Sequence, residues 1–169
     1  MHSKIQKLVI SALMTALVCV ATVVIRIPSP MKGYINLGDG MVLVSGWLLS
    51  PGYGFLAAAL GSALADVFAG YMIYAPATFL IKGAMTLVAA AFIKIMKNDR
   101  KTLPALLIGG ALAEIVMMGG YFVFEGILYG FAASALNLPA NLAQAIAGLA
   151  VGIVTAKLLE RMRIHPKTF

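Results

Sequence analysis

Charged residues are scarce in this 169-residue chain. Asp, Glu, Lys and Arg make up 11% of it, whereas soluble globular domains carry about 25%. Hydrophobic residues reach 62%, and a water-soluble fold of this size could not bury so much apolar surface, because a small domain leaves much of its chain in contact with solvent. The composition therefore excludes a soluble globular protein and predicts an all-α integral membrane protein in contact with a lipid bilayer.

Cysteine and histidine are nearly absent. Cys19 is the single cysteine and lies inside an apolar run, so neither a disulfide nor a thiolate metal site is available. His2 and His165 lie near the two termini, and no zinc site can be drawn from them. The sequence also lacks a Walker lysine motif, a nucleophile elbow and a Gly-rich dinucleotide loop. We therefore expect a chain that is not an enzyme, does not itself hydrolyse ATP, and holds no metal or cofactor.

Long apolar runs, by contrast, fill the chain. A transmembrane helix needs about 20 residues to cross about 30 Å of hydrocarbon. Six helical segments are predicted, of which the second is too short to span the membrane comfortably alone. Together they are expected to form one six-helix membrane domain over residues 1–169. Loops are predicted over Arg26–Gly38 and Tyr129–Pro139. The expected helices are 4–26, 40–49, 53–70, 77–96, 103–128 and 139–162.

The net charge of +7 is concentrated beside the apolar segments. Ten of the thirteen Lys and Arg residues lie at the N-terminus, in the link Lys97–Thr102 and its preceding helix end, or at the C-terminus. No basic stripe alternates with exposed aromatic residues, so nucleic acid is not an expected partner. The positive-inside rule then predicts six transmembrane helices with both termini and the Lys97–Thr102 link in the cytoplasm.

Four ionisable residues fall inside the predicted helices: Asp66, Lys82, Glu114 and Glu125. Each would cost about 2.5–3.5 kcal/mol at the centre of the bilayer, so each is expected to face the bundle interior or an interface. Asp66 and Lys82 flank one short loop and lie at similar depth. An ion pair between them that locks the third helix to the fourth is the favoured interpretation, and a direct ligand role for either residue is the alternative.

Polar residues recur at helical spacing on three helices and predict a binding pocket in their outer halves. Aromatic faces with a few polar groups suit a small polar ring. The alternative for the amides is that they only hydrogen-bond neighbouring helices. Together with the loop that would cap the pocket, the candidate residues are Asn36, Asp39, Thr78, Lys82, Tyr121, Glu125, Asn141 and Gln144. Glu114 continues the stripe of the fifth helix at greater depth.

Small residues form ridges on two helices. The first helix carries Ala12 and Ala16 four residues apart, and the third carries Ala57, Gly61 and Ala65 at the same spacing. Such ridges allow close backbone approach in membranes. Packing within the chain and docking on a separate membrane subunit are both compatible with them.

Several motifs, in order, resemble those of the substrate-capturing S components of energy-coupling factor (ECF) vitamin transporters, in the riboflavin-transporter-like branch. The similarity covers most of the chain and lies in the order and spacing of the motifs rather than in any one of them. It is carried by Tyr34–Asp39, Ser50–Gly54, Gly61–Asp66, Ala75–Gly83, Tyr121–Gly130 and Leu138–Asn141 with Gln144.

The resemblance implies a multi-pass protein of a prokaryotic plasma membrane that binds a vitamin on its outer side. It implies docking on a transmembrane T component driven by two cytoplasmic ATPases, which would use the ATP, with transport by toppling of the S component. Ala12 and Ala16 would then contact the T component, and Arg26–Asp39 would gate the pocket. Members similar to this chain are assigned to pyridoxine-type vitamin B6 compounds or to hydroxymethylpyrimidine, a thiamine precursor.

Other functions stay open on the sequence alone. Riboflavin or another vitamin is an alternative substrate. A solitary carrier coupled to protons through Glu114 and Glu125 is an alternative of another class, although no internal repeat supports it. An intramembrane enzyme and a purely structural membrane subunit are the remaining alternatives.

Overall fold

The computed structural model describes residues 4–29, 33–96 and 102–162. This part of the chain contains six helices and one small hairpin, and five of the helices are long and apolar enough to cross a membrane. The sixth, α2, has 11 residues and is not. The elements are α1 Lys4–Val24, β1 Arg26–Pro28, β2 Tyr34–Asn36, α2 Gly38–Leu48, α3 Pro51–Phe68, α4 Ala75–Ile95, α5 Leu103–Tyr129 and α6 Phe131–Arg161.

Proline marks the start of three helices. Pro51, Pro76 and Pro104 each occupy the first or second position of α3, α4 and α5. The fixed φ of proline suits the first helical turn, where its missing N–H group has no helical partner to lose. These starts lie within two residues of the predicted ones.

The sixth helix begins eight residues earlier than predicted. The loop expected over residues 129–139 is replaced by a single connecting residue, Gly130, which has a φ of 91° and joins α5 to α6. Pro139 lies inside α6, where neighbouring helices can compensate for the lost backbone hydrogen bond. Ser134 holds the early turns of α6 on α5, since its Oγ donates a hydrogen bond of 2.8 Å to the carbonyl of Phe122.

The predicted loop over residues 26–38 contains secondary structure that the sequence did not indicate. β1 and β2 pair in antiparallel register, with Arg26 opposite Asn36 and Pro28 opposite Tyr34. The described part of the fold is therefore helical apart from one short hairpin, which lies between α1 and α2 at one end of the bundle. The α3–α4 and α5–α6 connections lie at the same end.

The short helix α2 forms the centre of the bundle. It contacts α1, α3, α4 and α6, and nearly all of its residues are buried. A helix that is apolar on every side belongs in a core. Leu43 and Trp47 of α2 join Met85, Leu106 and Met117 from the surrounding helices in one hydrophobic cluster.

The ridge on α3 packs within the chain. Gly61 and Ala65 are buried, and a Cβ at Gly61 would lie 2.6 Å from the backbone oxygen of Thr15 on α1. Ala12 and Ala16 lie on the opposite, exposed side of α1. The two ridges therefore differ: the one on α3 is internal packing, and the one on α1 is a free surface.

Most of the exterior is apolar. Large hydrophobic side chains such as Leu13, Ile115 and Ile146 are more than half exposed. An apolar exterior around a polar interior is what a lipid environment requires. Several basic residues of the predicted charge pattern lie outside the described residues: Lys32, those of the 97–101 link, Arg163 and Lys167. Both histidines also lie outside them.

Candidate binding site

A small polar cavity lies among α3, α4, α5 and α6 at the hairpin end of the bundle, against β2. Its volume is about 30 Å³, which is room for about two water molecules. Its walls carry two carboxylates, four amides, three phenols and one hydroxyl. The lining residues are Gly33, Tyr34, Asn36, Asp66, Tyr74, Thr78, Tyr121, Glu125, Asn137, Asn141 and Gln144.

Glu125 is held rigidly on one wall of the cavity. It is 2% exposed, and Asn137 Nδ2 donates to both of its carboxylate oxygens, at 2.8 and 3.0 Å. The Tyr74 hydroxyl donates to Oε1 at 3.5 Å. Burial and the charge of Glu125 raise the pKa of Tyr74 above its usual value, so its phenol stays a donor. The carboxylate is thus oriented by α6 and by the residue that precedes α4.

Asp66 provides a second carboxylate, from the end of α3. The hydroxyl of Tyr34 donates to its Oδ1 at 2.6 Å. Burial and the nearby charge of Asp66 raise the pKa of Tyr34, which keeps this phenol protonated as well. Oδ2 of Asp66 is buried and has no hydrogen-bond partner among the described residues.

Lys82 pairs with Asp39 and not with Asp66, so the predicted ion pair was wrong. Lys82 Nζ donates to Oδ1 of Asp39, and both side chains are fully buried. Asp39 reaches Lys82 because it stands in the first turn of the central helix α2, which packs directly on α4. The Lys82 ammonium also lies 5.4 Å from the centre of the Tyr121 ring, which suits a cation–π contact.

Gln144 connects this ion pair to the hairpin. Its Nε2 donates to Oδ2 of Asp39 at 2.7 Å, and its Oε1 accepts from the backbone N–H of Asn36 at 2.9 Å. Asn36 Oδ1 in turn accepts from the N–H of Gly38 at 2.9 Å. The amide of Gln144 therefore ties the end of β2 to the buried charges beneath the cavity.

The structure brings most of the predicted residues to one place. Six of the eight line the cavity, and Thr78 and Tyr121 hydrogen-bond each other there through their hydroxyls at 3.0 Å. Asp39 and Lys82 do not line the cavity, but they contact the lining residues Gln144 and Tyr121. The six lining residues are Asn36, Thr78, Tyr121, Glu125, Asn141 and Gln144.

Four further lining residues are absent from the predicted site, and a ligand role for Asp66 is only the alternative interpretation of the sequence. Gly33, Tyr34 and Tyr74 lie in connections whose geometry hydropathy does not reveal. Asn137 was missed because residues 129–139 were predicted as a loop. It lies four residues before Asn141 and seven before Gln144, so the same polar stripe would have included it had α6 been extended by two turns.

Glu114 lies at greater depth and does not line the cavity. It is 3% exposed, and neither of its carboxylate oxygens has a hydrogen-bond partner among the described residues. It lies close to Asp39, since a Cβ at Gly148 would be 2.6 Å from Asp39 Cβ and 3.0 Å from Glu114 Oε1. Gly148 thus allows α6 to pack closely against both acidic side chains.

Several polar atoms that line the cavity have no hydrogen-bond partner in the part of the chain that the structure describes. Within the described residues, Asp66 Oδ2 and Asn137 Oδ1 are unused acceptors, and Asn141 Nδ2 is an unused donor. Buried polar groups are costly unless they are paired, so a small molecule with complementary groups would satisfy them. The described part of the chain contains no cluster of three His, Cys, Asp or Glu side chains that could hold a metal ion.

One comparison with known proteins identifies a family, and two others find similar proteins and a shared fold. The family model for the ECF-type riboflavin transporter, S component, matches residues 2–161. An uncharacterised protein of Pyrococcus woesei is 35% identical over 150 residues, which are 88% of this chain and 97% of the relative. The thiamine precursor transporter HmpT of Lactococcus lactis subsp. cremoris (strain MG1363) is 27% identical over 165 residues, 96% of this chain and 93% of HmpT.

A solved structure shares the fold. It is described as the S component of a bacterial ECF transporter and superposes with a TM-score of 0.77 at 23% identity. The match covers 95% of this chain and 98% of the solved one. The overall arrangement of the helices therefore occurs in a structure of known architecture.

Proposed function

The chain belongs to the family of ECF-type riboflavin transporter S components, and from that premise we propose that it captures hydroxymethylpyrimidine, a thiamine precursor. Members of this family are substrate-binding transporter subunits and not enzymes, and they are multi-pass proteins of the prokaryotic plasma membrane. The identity of the substrate is inferred from the chemistry of the cavity.

The single observation that carries the proposal is the pair of buried carboxylates without a cation. Asp66 and Glu125 line the cavity, while Lys82, whose charge could have neutralised either, pairs with Asp39. Neither carboxylate forms an ion pair within the described residues. Acceptors of this kind select a ligand with several N–H or O–H donors, because hydrogen bonds to charged groups contribute about 1.5–3 kcal/mol each.

Hydroxymethylpyrimidine offers those donors on a flat ring. Its amino and hydroxymethyl groups can donate to the two carboxylates, and a ring nitrogen can accept from Asn141 Nδ2. The ring of Tyr121 and the neighbouring aromatic side chains supply faces on which a pyrimidine can stack. The similarity to HmpT supports the same substrate class.

Pyridoxine and riboflavin are the alternative candidates for the substrate. The amino group of hydroxymethylpyrimidine carries two N–H donors that point in different directions, so it can donate to a carboxylate and to a second acceptor such as Asn137 Oδ1, whereas each hydroxyl of pyridoxine carries one donor. Riboflavin carries a three-ring system and a ribityl chain, and a cavity of about 30 Å³ would have to expand much further to hold it. The order of affinity proposed here is hydroxymethylpyrimidine, then pyridoxine, then riboflavin.

We also propose the partners of an ECF module: a transmembrane T component and two cytoplasmic ATPases, which would consume the ATP. The exposed ridge with Ala12 and Ala16 on α1 is the proposed docking surface for the T component. Its support is that the other face of α1, with Met14 and Val18, is already buried against the bundle. No cofactor is proposed for the chain itself.

Uptake by reconstituted proteoliposomes tests this proposal. We expect radiolabelled hydroxymethylpyrimidine to accumulate only when the chain is combined with a T component and ATPases and ATP is supplied. Ala16→Trp should leave substrate binding intact and abolish uptake, because it places a bulky side chain on the docking ridge.

Ile146→Trp is the control for that variant. Ile146 is 63% exposed on α6, so the same bulky side chain there should leave both binding and uptake unchanged. Full uptake by Ala16→Trp would contradict the docking surface. Uptake by the chain alone, driven by a proton gradient, would instead support the solitary carrier.

A further inference from the structure

Buried acidic side chains outnumber buried basic ones inside the bundle. Among the described residues, Lys82 is the only basic side chain that is buried, and four carboxyl groups are buried with it. Lys82 can neutralise one of them, so the surroundings of the other three must account for their burial. The four acids are Asp39, Asp66, Glu114 and Glu125.

Glu114 differs from the other buried acids because no donor reaches it. Asp66 and Glu125 line the cavity and accept hydrogen bonds from phenol and amide groups. Each carboxylate oxygen of Asp39 has a hydrogen-bond partner. Both oxygens of Glu114 are buried without a partner among the described residues. An ionised carboxylate is very unfavourable in such surroundings, whereas the neutral acid is tolerated.

Glu114 also lies deep in the membrane-spanning part of the chain. It is close to the midpoint of α5 and precedes Glu125 by eleven residues, which is about 16 Å along a helix axis. Charged side chains are most costly near the middle of the bilayer. The depth of Glu114 therefore adds to the cost of an unpaired charge there.

Two charged groups face Glu114 from neighbouring helices. Asp39 approaches from α2 and Lys82 from α4, and the charges of both act on the Glu114 carboxyl. From α6 the neighbour is Gly148, and the described charged residues of that helix lie more than two turns further along it. On α5 itself, Tyr121 is seven residues away. One ammonium thus lies between two carboxyl groups.

We propose that Glu114 is a proton-binding site and the reserve counter-ion of Lys82. While Lys82 pairs with Asp39, Glu114 holds a proton and stays neutral. When Asp39 cannot pair, Glu114 releases that proton to solvent and its carboxylate takes over the ammonium. The proton makes the group of Lys82, Asp39 and Glu114 neutral, so the negative charge of the cavity comes from Asp66 and Glu125 alone. This inference does not depend on which substrate the cavity binds.

Neutral Glu114 also acts as a positioning residue for the cavity wall. Gln144 Nε2 donates to Asp39 Oδ2, and Gln144 Oε1 accepts from the backbone N–H of Asn36. A charged Glu114 would compete with Asp39 for Lys82 and weaken the ion pair that fixes this amide. A protonated Glu114 leaves the pair, and with it the orientation of Gln144, undisturbed.

Infrared spectroscopy of the purified chain in detergent measures the proton directly, because a protonated carboxyl absorbs at a higher wavenumber than carboxylates and backbone amides. The parent should show this band at neutral pH, and Glu114→Gln should reduce it by the intensity of one acid. Asp39→Asn should cause the same reduction although Glu114 is still present, because Glu114 then ionises to pair with Lys82. Glu160→Gln, which changes a partly exposed carboxylate, is the control and should leave the band unaltered.

Melting temperatures of the same variants test the reserve role. Glu114→Gln keeps a neutral polar side chain of similar shape and should shift the melting temperature by no more than about 2 °C. Combining Asp39→Asn with Glu114→Gln leaves Lys82 without a counter-ion. The double variant should therefore melt at least about 5 °C below Asp39→Asn alone.

The proposal is overturned if Glu114→Gln lowers the melting temperature as much as the double variant does, because Glu114 would then be ionised in the parent. It is equally overturned if the acid band is absent from the parent, or if either single variant leaves it unchanged. Should the double variant fail to fold, the spectra of the two single variants decide the matter. A chain with the expected spectra that binds none of hydroxymethylpyrimidine, pyridoxine and riboflavin contradicts the proposed function alone.

Discussion

Buried charge is the dominant constraint at the scale of single residues. Lys82 and Asp39 are both buried at the centre of the bundle, and each is tolerable there only because the other neutralises it. Gln144 satisfies the second oxygen of Asp39, which completes the pair. Because Lys82 forms its ion pair with Asp39, it does not neutralise the carboxylates of Asp66 and Glu125, which can then accept hydrogen bonds from a ligand.

A double-mutant cycle tests this assignment. Lys82→Met should lower thermal stability strongly, because it strands the buried Asp39 carboxylate, and a broken buried pair typically costs about 3–5 kcal/mol. Adding Asp39→Ala should recover part of that loss. The melting temperature of the purified protein in detergent measures both changes.

The exposed pair Lys157–Glu160 provides the control for that cycle. Its nitrogen and oxygen lie 2.9 Å apart with both side chains partly exposed, and surface pairs contribute about 0–1 kcal/mol. The corresponding Lys157→Met and Glu160→Ala variants should therefore shift the melting temperature little. Additive losses at Lys82 and Asp39 would contradict the pairing, and a recovery obtained with Asp66→Ala instead would restore the pair expected from the sequence.

The sequence could predict which residues are buried and polar, but not which of them meet. Helical spacing placed Glu125, Asn141 and Gln144 on inward faces, and the structure brings them to one cavity. It could not predict the partner of Lys82, because Asp66 and Asp39 are both acidic and only the packing of α2 against α4 decides between them. Depth along a helix is readable from sequence, whereas the neighbour across the bundle is not.

At the scale of elements, the prediction of a loop before Pro139 was wrong, because contacts with α5 stabilise a helix there. Residues 131–138 contain polar side chains and precede Pro139, which is typical of a loop, yet they form the first two turns of α6. Ser134 and Asn137 bond to groups on α5, through the Phe122 carbonyl and the Glu125 carboxylate. Single-sequence patterns do not contain those partners.

The short helix α2 could be predicted from the sequence, whereas the hairpin could not. A helix too short to span was predicted over residues 40–49, and α2 occupies Gly38–Leu48. Its burial on nearly every side follows from its largely apolar sequence, in which Asp39 is the only charged residue. The β1–β2 pairing was missed, because three-residue strands carry too little alternation to be recognised.

At the scale of the whole molecule, the distribution of basic residues sets the expected orientation. Five helices can span the bilayer, and α2 is too short for an independent crossing. For both termini to lie in the cytoplasm, α2 and the hairpin together must return the chain across the membrane within the bundle. The positive-inside rule favours that arrangement, since ten of thirteen basic residues then lie in the cytoplasm.

Reporter fusions test the orientation directly. A fusion after Met96 and one after Met162 should both report a cytoplasmic location, and a fusion within the α3–α4 connection at Gly70 should report the outside. A cytoplasmic signal at Gly70, or an external one at either of the other positions, would reverse or break the proposed topology. The expected outer location of the cavity would then be lost with it.

Isothermal calorimetry with hydroxymethylpyrimidine, on the parent chain and on Glu125→Gln, tests the proposed function most directly. The parent should bind hydroxymethylpyrimidine more tightly than pyridoxine or riboflavin, and Glu125→Gln should weaken it about ten- to a hundredfold, because one charge-assisted hydrogen bond is lost. Glu160→Gln makes the same chemical change outside the cavity and should leave the affinity unaltered. Equal binding by the parent and by Glu125→Gln, or a preference for riboflavin, would contradict the assignment of substrate and site.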